Sequence, residues 1–246
     1  MQAQLSADIS ALESGEATFA CYCTPRGQVI GLLLVGRKDD TYLVVASSDL
    51  LPGILARLQM FVLRSKVEFS TRADLCLYGI DQAGDVPAPG VFQPNNVKLH
   101  YLFAKSTDEA GVNPEQFREQ EIRSRVTWLG SGTTEKFIPQ MLGYENIGAL
   151  SFTKGCYPGQ EIVARTHYLG KVKRKPVVLE VEEKLLISPA SRVELLLADS
   201  WSGGTVIDSV ARDENGTLFF IVTAKPDGAE PEQLKHLDRT YRCATI

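Results

Sequence analysis

The sequence predicts an α+β fold in its first two thirds and a small all-β unit after it, on three observations. Strand-length apolar runs separated by turn signals fill the early part of the chain. One strongly amphipathic helix lies among them, with apolar residues at Leu50, Leu51, Ile54, Leu55, Leu58, Phe61 and Val62 on a single face. After Lys175-Pro176 the helical periodicity ends and short strands follow one another. The first pattern is that of a helix packed on an antiparallel sheet. The last is that of a barrel or sandwich. The predicted organisation is an α+β region over 1–171, in two subdomains divided by a loop near 85–96, and a C-terminal all-β domain, barrel or sandwich, over 172–246.

Residues 17–23 alternate as a strand, and Thr24-Pro25-Arg26-Gly27 reads as a tight turn with Pro second and Gly fourth. Val29 to Val35 is a more continuously apolar strand, so the pair is a hairpin inside a covered sheet. Tyr42 to Ala46 gives a third strand, and Ser47-Ser48-Asp49 offers cap chemistry to the helix that follows. Val67 to Phe69, Leu75 to Ile80 and Val97 to Ala104 read as further strands; the prolines and glycine between Asp85 and Asn96 mark a loop. Asn113-Pro114-Glu115 opens a charged helix that is expected to run to about Val126. Ser131 to Glu135 is a polar loop, and Phe137-Ile138-Pro139-Gln140 opens a short irregular segment. Ile147 to Phe152 is strand-like and leads into a short helical pattern. In the C-terminal part, Pro176 to Val181, Arg192 to Leu197, Gly204 to Val210 and Leu218 to Ala224 read as strands, with a turn at Asn215-Gly216.

With 246 residues, 44% of them hydrophobic and 23% charged, the chain can bury a sizeable core. The net charge of -4 gives no global pull toward nucleic acid or anionic membrane, so any RNA contact must be local. Five widely spread cysteines do not form a disulfide framework and point to free thiols in a reducing compartment. Met1 to Ala11 lacks the pattern of a signal peptide, and no apolar run is long enough to span a bilayer. A soluble, cytoplasmic protein that does not engage membranes is expected.

The stretch with the most chemistry is Lys154 to Arg165. Pro158 suits a first helical position, which would place Cys156 just ahead of a helix N-terminus, where dipole and free amides favour a thiolate. Gly155 and Gly159 permit backbone angles or approaches that a Cβ would block. Lys154, and Arg165 if the helix folds back, add positive charge. Local physics leaves two readings open: a reactive or ligand-contacting thiol, and a buried cysteine in a strand-to-helix corner. Glu161 either meets a ligand's N–H groups or simply suits the helix dipole. Trp128 either stacks on a planar ligand or covers the core edge. Arg165, Lys171, Lys173, Arg174 and Lys175, with His167 and Tyr168 interleaved, form the one basic cluster: a contact for RNA phosphate or ligand carboxylate, or a solvated face at a domain junction. Cys21 and Cys23 share one strand face, yet no second Cys/His pair has zinc spacing, so no tightly bound metal is expected.

Lys154-Gly155-Cys156-Tyr157-Pro158-Gly159-Gln160-Glu161, followed by Ala164-Arg165, resembles the signature of the YgfZ-type folate-binding proteins, relatives of the glycine-cleavage T-protein, an aminomethyltransferase. Phe137-Ile138-Pro139-Gln140 and the Thr24-Pro25-Arg26-Gly27 turn support the resemblance, which covers essentially the whole chain. It implies an α+β fold of aminomethyltransferase-like antiparallel sheet domains with packed helices over 1–171 and a small C-terminal β-barrel over 172–246, around a central folate site. It also implies a tetrahydrofolate ligand and a role in making or maintaining iron–sulfur enzymes, including those that modify tRNA. Iron–sulfur enzymes or their assembly proteins would then be partners, with tRNA a further candidate for Lys171, Lys173, Arg174 and Lys175. Within that implied site Cys156 is the redox or cluster-contacting thiol, exposed toward a cavity. Tyr157 or Trp128 would stack on the ring, Gln160 or Glu161 would meet its donors and acceptors, and Lys154 or Arg165 would attract the glutamate tail, with Gly155 and Gly159 shaping the backbone.

Three departures qualify the resemblance. The family begins with further strands ahead of the stretch like Met1 to Leu5, so the first domain is expected to be short of strands. The family's Arg-x-Gly-x-Pro appears as Arg123-Ser124-Arg125-Val126-Thr127, which alters the local turn. The strand that carries acidic residues in the aminomethyltransferase reads Ile30-Gly31-Leu32-Leu33, with no carboxylate to steady a cationic one-carbon intermediate. Binding and support rather than aminomethyl transfer are therefore expected. The alternatives are a folate-dependent transferase acting on another substrate and a module that binds tRNA directly.

Overall fold

A computed structural model of the chain describes residues 1–62, 66–80, 91–105, 113–212, 216–224 and 228–246. The first sheet is antiparallel, in the order β1 (Ala17–Cys23), β2 (Val29–Lys38), β3 (Thr41–Val45). Every residue of β1 is buried, because the sheet is covered on both faces. Its two-residue period sorts the side chains. Ala17, Phe19, Cys21 and Cys23 enter the main core with Leu32 and Leu34 of β2, while Ala20, Tyr22, Leu33 and Val35 pack with Ile54 and Leu58 of α1 (Leu51–Gln59).

Two local expectations around α1 are corrected. Ser47, Ser48 and Asp49 make no side-chain cap: Ser47 Oγ donates to the Leu129 carbonyl at 2.5 Å, and Asp49 Oδ2 accepts from the Ser131 amide at 2.6 Å. The would-be cap residues instead tether a distant loop. Phe61 lies beyond the helix end and is exposed rather than on the apolar face. Val67 to Phe69 is not a strand; among the described residues no strand pairs with it, Val67 is exposed, and Phe69 packs against apolar neighbours.

A second antiparallel sheet has the order β4 (Leu75–Ile80), β6 (His100–Lys105), β5 (Val91–Phe92). The expected loop over 85–96 contains β5, and its part before residue 91 lies outside the described residues. The strand expected from Val97 begins at His100, although Val97 and Leu99 are buried in the main core. In α2 (Pro114–Arg123) the Asn113 side chain accepts from the Glu115 amide at 2.9 Å, and Pro114 occupies the first turn, where no amide is needed. The helix stops at Arg123 rather than near Val126, because Arg125 adopts a left-handed φ of 60°.

The C-terminal strands β7 (Lys175–Val181), β8 (Arg192–Leu197), β9 (Ser200–Arg212), β10 (Gly216–Thr223), β11 (Pro231–His236) and β12 (Arg239–Thr245) close a barrel in the order β10-β7-β12-β11-β8-β9. The last two escape the sequence pattern: between them only Pro231, Leu234 and Tyr241 are buried. Leu179, Leu195, Phe219, Ile221 and Leu234 fill the barrel. The opposite faces of β7, β9 and β10 present Val178, Ile207, Val210, Leu218, Phe220 and Val222 to the same core that holds Phe19 and Leu32. Barrel and first sheet therefore share one apolar interior.

A buried polar cluster joins α2 to the barrel. Glu121 Oε1 accepts from Tyr101 Oη at 3.0 Å and from Trp128 Nε1 at 2.9 Å; its Oε2 accepts from Arg118 Nη1 at 3.2 Å. Arg118 Nη2 also pairs with Asp208 Oδ2, which accepts from Thr127 Oγ1 at 3.2 Å. Burial pushes both carboxyls up, against the pull of the one guanidinium between them. Removing that guanidinium strands two buried carboxylates. Arg118→Met is expected to cost about 3–5 kcal/mol near neutral pH. Because the stranded carboxyls bind protons more tightly folded than unfolded, the loss shrinks as pH falls through their raised pKa values. Urea denaturation at neutral and mildly acidic pH checks both points, and a pH-independent loss contradicts the electrostatic account.

Candidate functional site

The stretch leading into the Cys156 motif is not a strand. Residues 147–152 are tied instead through one side chain: Ser6 Oγ donates to the Ala149 carbonyl at 2.5 Å and accepts from the Cys21 amide at 2.7 Å, while the Ser151 amide donates to the Ser6 carbonyl at 2.9 Å. Ser6 is fully buried and joins β1 to the motif. A lone serine in an irregular segment gives no sequence signal of this.

Lys154 follows, and its ammonium turns inward. It donates to the carbonyls of Gln2, Leu5 (2.5 Å) and Ala7 (3.1 Å), so all three donors are engaged. Burial holds its pKa below the usual lysine value. The expectation that Lys154 attracts a ligand's carboxylate is corrected: it anchors the N-terminal segment. The Tyr157 ring lies 5.5 Å from that ammonium and is itself buried, so it offers no open face for stacking. Among the described residues its hydroxyl has no hydrogen-bond partner, and burial pushes its pKa up. Trp128 is likewise committed inward, bonded to Glu121 and edge-on to Phe19 at 6.0 Å.

Between Lys154 and Tyr157, both Gly155 and Cys156 are exposed. Among the described residues Cys156 has no hydrogen-bond or ion-pair partner. Gly155 does not need to be glycine for space, since a Cβ there would meet nothing within 4 Å. The helix α3 (Gln160–Leu169) starts later than expected, with Gly159 as its N-cap. Pro158 is therefore not a first helical residue, and Cys156 lies three residues ahead of the N-cap.

The reason lies in a backbone contact. Gly159 has φ 80°, and a Cβ on it would fall 2.5 Å from the Thr24 carbonyl oxygen and 2.6 Å from the Gly27 Cα. Gly27, φ 75°, closes the β1–β2 turn with its amide donating to Thr24 O at 2.9 Å, and a Cβ there would lie 3.0 Å from the Ile162 Cβ. The chain must turn at Pro158-Gly159 to dock on the hairpin before helix can begin. The Phe137–Gln140 segment joins the same place. Its Phe137 carbonyl accepts from the Val29 amide at 2.8 Å, and Gln140 Nε2 donates to the Val163 carbonyl at 2.9 Å and to Glu145 Oε1 at 3.0 Å. Three separated sequence motifs thus converge on the start of α3.

Along α3, Glu161 and Arg165 are exposed and Gln160 is half-buried, and none has a side-chain partner among the described residues. At its far end His167 Nδ1 lies 3.1 Å from Glu145 Oε1. Lys171, Lys173, Arg174 and Lys175 are exposed. Cys21 and Cys23 are buried free thiols, and no cluster of three or more His, Cys, Asp or Glu that could hold a metal occurs among the described residues. Nor is any described helix long and apolar enough to cross a membrane.

No family model matches the chain. An uncharacterized protein of Haemophilus influenzae is 29% identical over 97% of this chain and 86% of its own length. The tRNA-modifying protein YgfZ of Klebsiella pneumoniae is 27% identical over 90% of this chain and 78% of its own, and that of Aliivibrio fischeri 24% identical over 96% and 81%. Among solved structures, the glycine cleavage system aminomethyltransferase T of Bartonella henselae matches 98% of this chain and 78% of its own with a TM-score of 0.67 at 13% identity, which establishes a common fold.

The two motif glycines make a contrasting pair. Gly159→Ala is expected to destabilise by about 2–4 kcal/mol, through left-handed strain and overlap with the Thr24–Gly27 backbone. Gly155→Ala, in open space, stays within about 0.5 kcal/mol of the parent. Thermal melts of the two variants decide the point.

Proposed function

Taking the chain as a YgfZ-type protein with the aminomethyltransferase fold, we propose that it binds a reduced folate and sustains iron–sulfur enzymes, tRNA-modifying ones among them. The observation that carries the reading is the bare Cys156 thiol in that family's motif, held out between two firmly anchored neighbours, Lys154 and Gly159.

The donor set suits a folate in part. Glu161 can accept from ring N–H groups, Gln160 can both donate and accept, and Arg165 can meet the glutamate tail; all three have uncommitted side chains among the described residues. Tyr157 and Trp128 do not serve as stacking faces, and Lys154 does not meet the tail. A reduced folate supplies one-carbon chemistry when bound. In this chain the strand segment Ile30-Gly31-Leu32-Leu33 has no carboxylate for such chemistry, and Ile30, Leu32 and Leu33 are buried. The role is thus one of binding and support. Cys156 acts as a single exposed thiol, one ligand where a stable cluster takes four, so it meets a cluster only together with a partner's ligands.

Cys156→Ser in a cell lacking the protein is expected to leave thiolated tRNA and iron–sulfur enzyme activity unrestored, while the purified variant melts like the parent and keeps its folate affinity. Full restoration removes the thiol from the account. Fluorescence titration with tetrahydrofolate tests the ligand separately. Glu161→Gln and Arg165→Ala should each weaken binding by about tenfold, for a charge-assisted hydrogen bond lost at a partly exposed site; no binding by the parent protein rejects the folate assignment.

A further inference from the structure

We propose that the C-terminal end of α3 and the segment after it form a surface for unpaired RNA, in which exposed rings stack on bases and flanking cations meet phosphates. This surface is independent of the folate site and of Cys156. It is built from three rings. The His167 imidazole lies on the Phe152 ring at 3.9 Å and 19°, and Tyr168 stands edge-on to both, at 4.7 Å from His167 and 6.0 Å from Phe152. The cluster is pinned from one side by Glu145, 3.1 Å from His167 Nδ1, yet Tyr168 remains 65% exposed and the adjoining Leu169 83%. An aromatic side chain already fixed by its neighbours loses little freedom when a planar ligand joins it.

The chain segment that carries two of the rings bears charge of one sign. Beyond Arg165, which belongs to the folate assignment, Lys171, Lys173, Arg174 and Lys175 fall between residues 162 and 179, a stretch with no Asp or Glu, in a chain whose net charge is -4. Lys171, Lys173 and Arg174 are exposed and form no ion pair among the described residues. Glu180, which follows the stretch, pairs with Arg212 Nη1, and Glu145 meets the ring cluster at His167. Glu161, exposed, lies two turns back along α3. One or two cations would suffice to complement the carboxyl end of a helix carrying about half a charge; this stretch holds more. Lys171 lies three residues from Tyr168 and Arg174 six, a reach of up to about 10 to 20 Å of chain, which suits successive phosphates on a strand whose bases meet the rings. Single strands and loops are bound in this way, by aromatic faces and backbone charge together. A duplex keeps its base faces stacked and would use the cations alone. An acidic protein segment would leave the rings idle.

The full chain is titrated at low and physiological salt with three labelled probes: an RNA hairpin with an unpaired loop, a fully paired RNA of equal length, and polyglutamate. The hairpin is expected to bind at least tenfold more tightly than either of the others. Tyr168→Ala should weaken the hairpin by roughly tenfold or more while leaving the paired RNA unchanged, and Tyr168→Phe should restore it. Lys173→Ala with Arg174→Ala should weaken both RNAs and flatten the dependence of log affinity on log salt by about one to two units. Equal binding of hairpin and duplex, insensitivity to Tyr168→Ala, tighter or equal binding of polyglutamate, or no RNA binding each overturns the proposal. Thermal melts confirm that the exposed-residue variants remain folded.

Discussion

Backbone meets backbone where Gly159 crosses the β1–β2 turn, and no side chain fits at that crossing. A Cβ on Gly159 would overlap Thr24 and Gly27, and one on Gly27 would press on Ile162. The path of the motif follows from this contact. The chain arrives from Lys154, whose ammonium is held by three carbonyls of the N-terminal segment, and leaves through Gly159, which is held by the hairpin. What lies between two such anchors must arch outward, and Gly155 and Cys156 form the outer part of that arch. The thiol owes its exposure to being suspended between fixed points.

The same contact aims α3. With its start fixed on the hairpin and Val163 buried and bonded to Gln140, the helix runs outward with Glu161 and Arg165 exposed. It ends at the Phe152–His167–Tyr168 cluster. Behind it lies an interior that does not depend on the motif. The first sheet and the outer face of the barrel share one apolar core, and the Arg118–Glu121–Asp208 cluster ties α2 across to the barrel. A rigid scaffold of that kind can carry an exposed thiol and an exposed aromatic cluster, features that add little to stability themselves.

Much of this was legible in residue patterns, and the exceptions have identifiable causes. β1, β2, β4 and β8 announce themselves by apolar runs, whereas β11 and β12 face mostly outward and carry little apolar periodicity. Residues 147–152 look like a strand, yet a single buried serine supplies the bonds a ladder would have made. Ser47 and Asp49 have cap chemistry but spend it on residues 82 positions away in sequence. Lys154, Tyr157 and Trp128 have the chemistry of ligand contacts, and only tertiary packing shows that each is directed inward. The departures at Arg125 and Thr127 are absorbed: Arg125 adopts the left-handed turn that Gly would favour, and Thr127, fully buried, donates to Asp208 and accepts from Tyr144 through its carbonyl.

The claim that Cys156 stands out on an arch between two anchors can be measured by thiol reactivity. The folded protein is treated with a small aromatic disulfide, and the modified cysteines are identified by peptide mass over time. Cys156 should be modified first, with Cys76 and Cys243, half-buried, following slowly, and Cys21 and Cys23, buried in β1, reacting only on unfolding. Protection of Cys156 in the native protein, or modification of Cys21 or Cys23 at a comparable rate, would contradict the account.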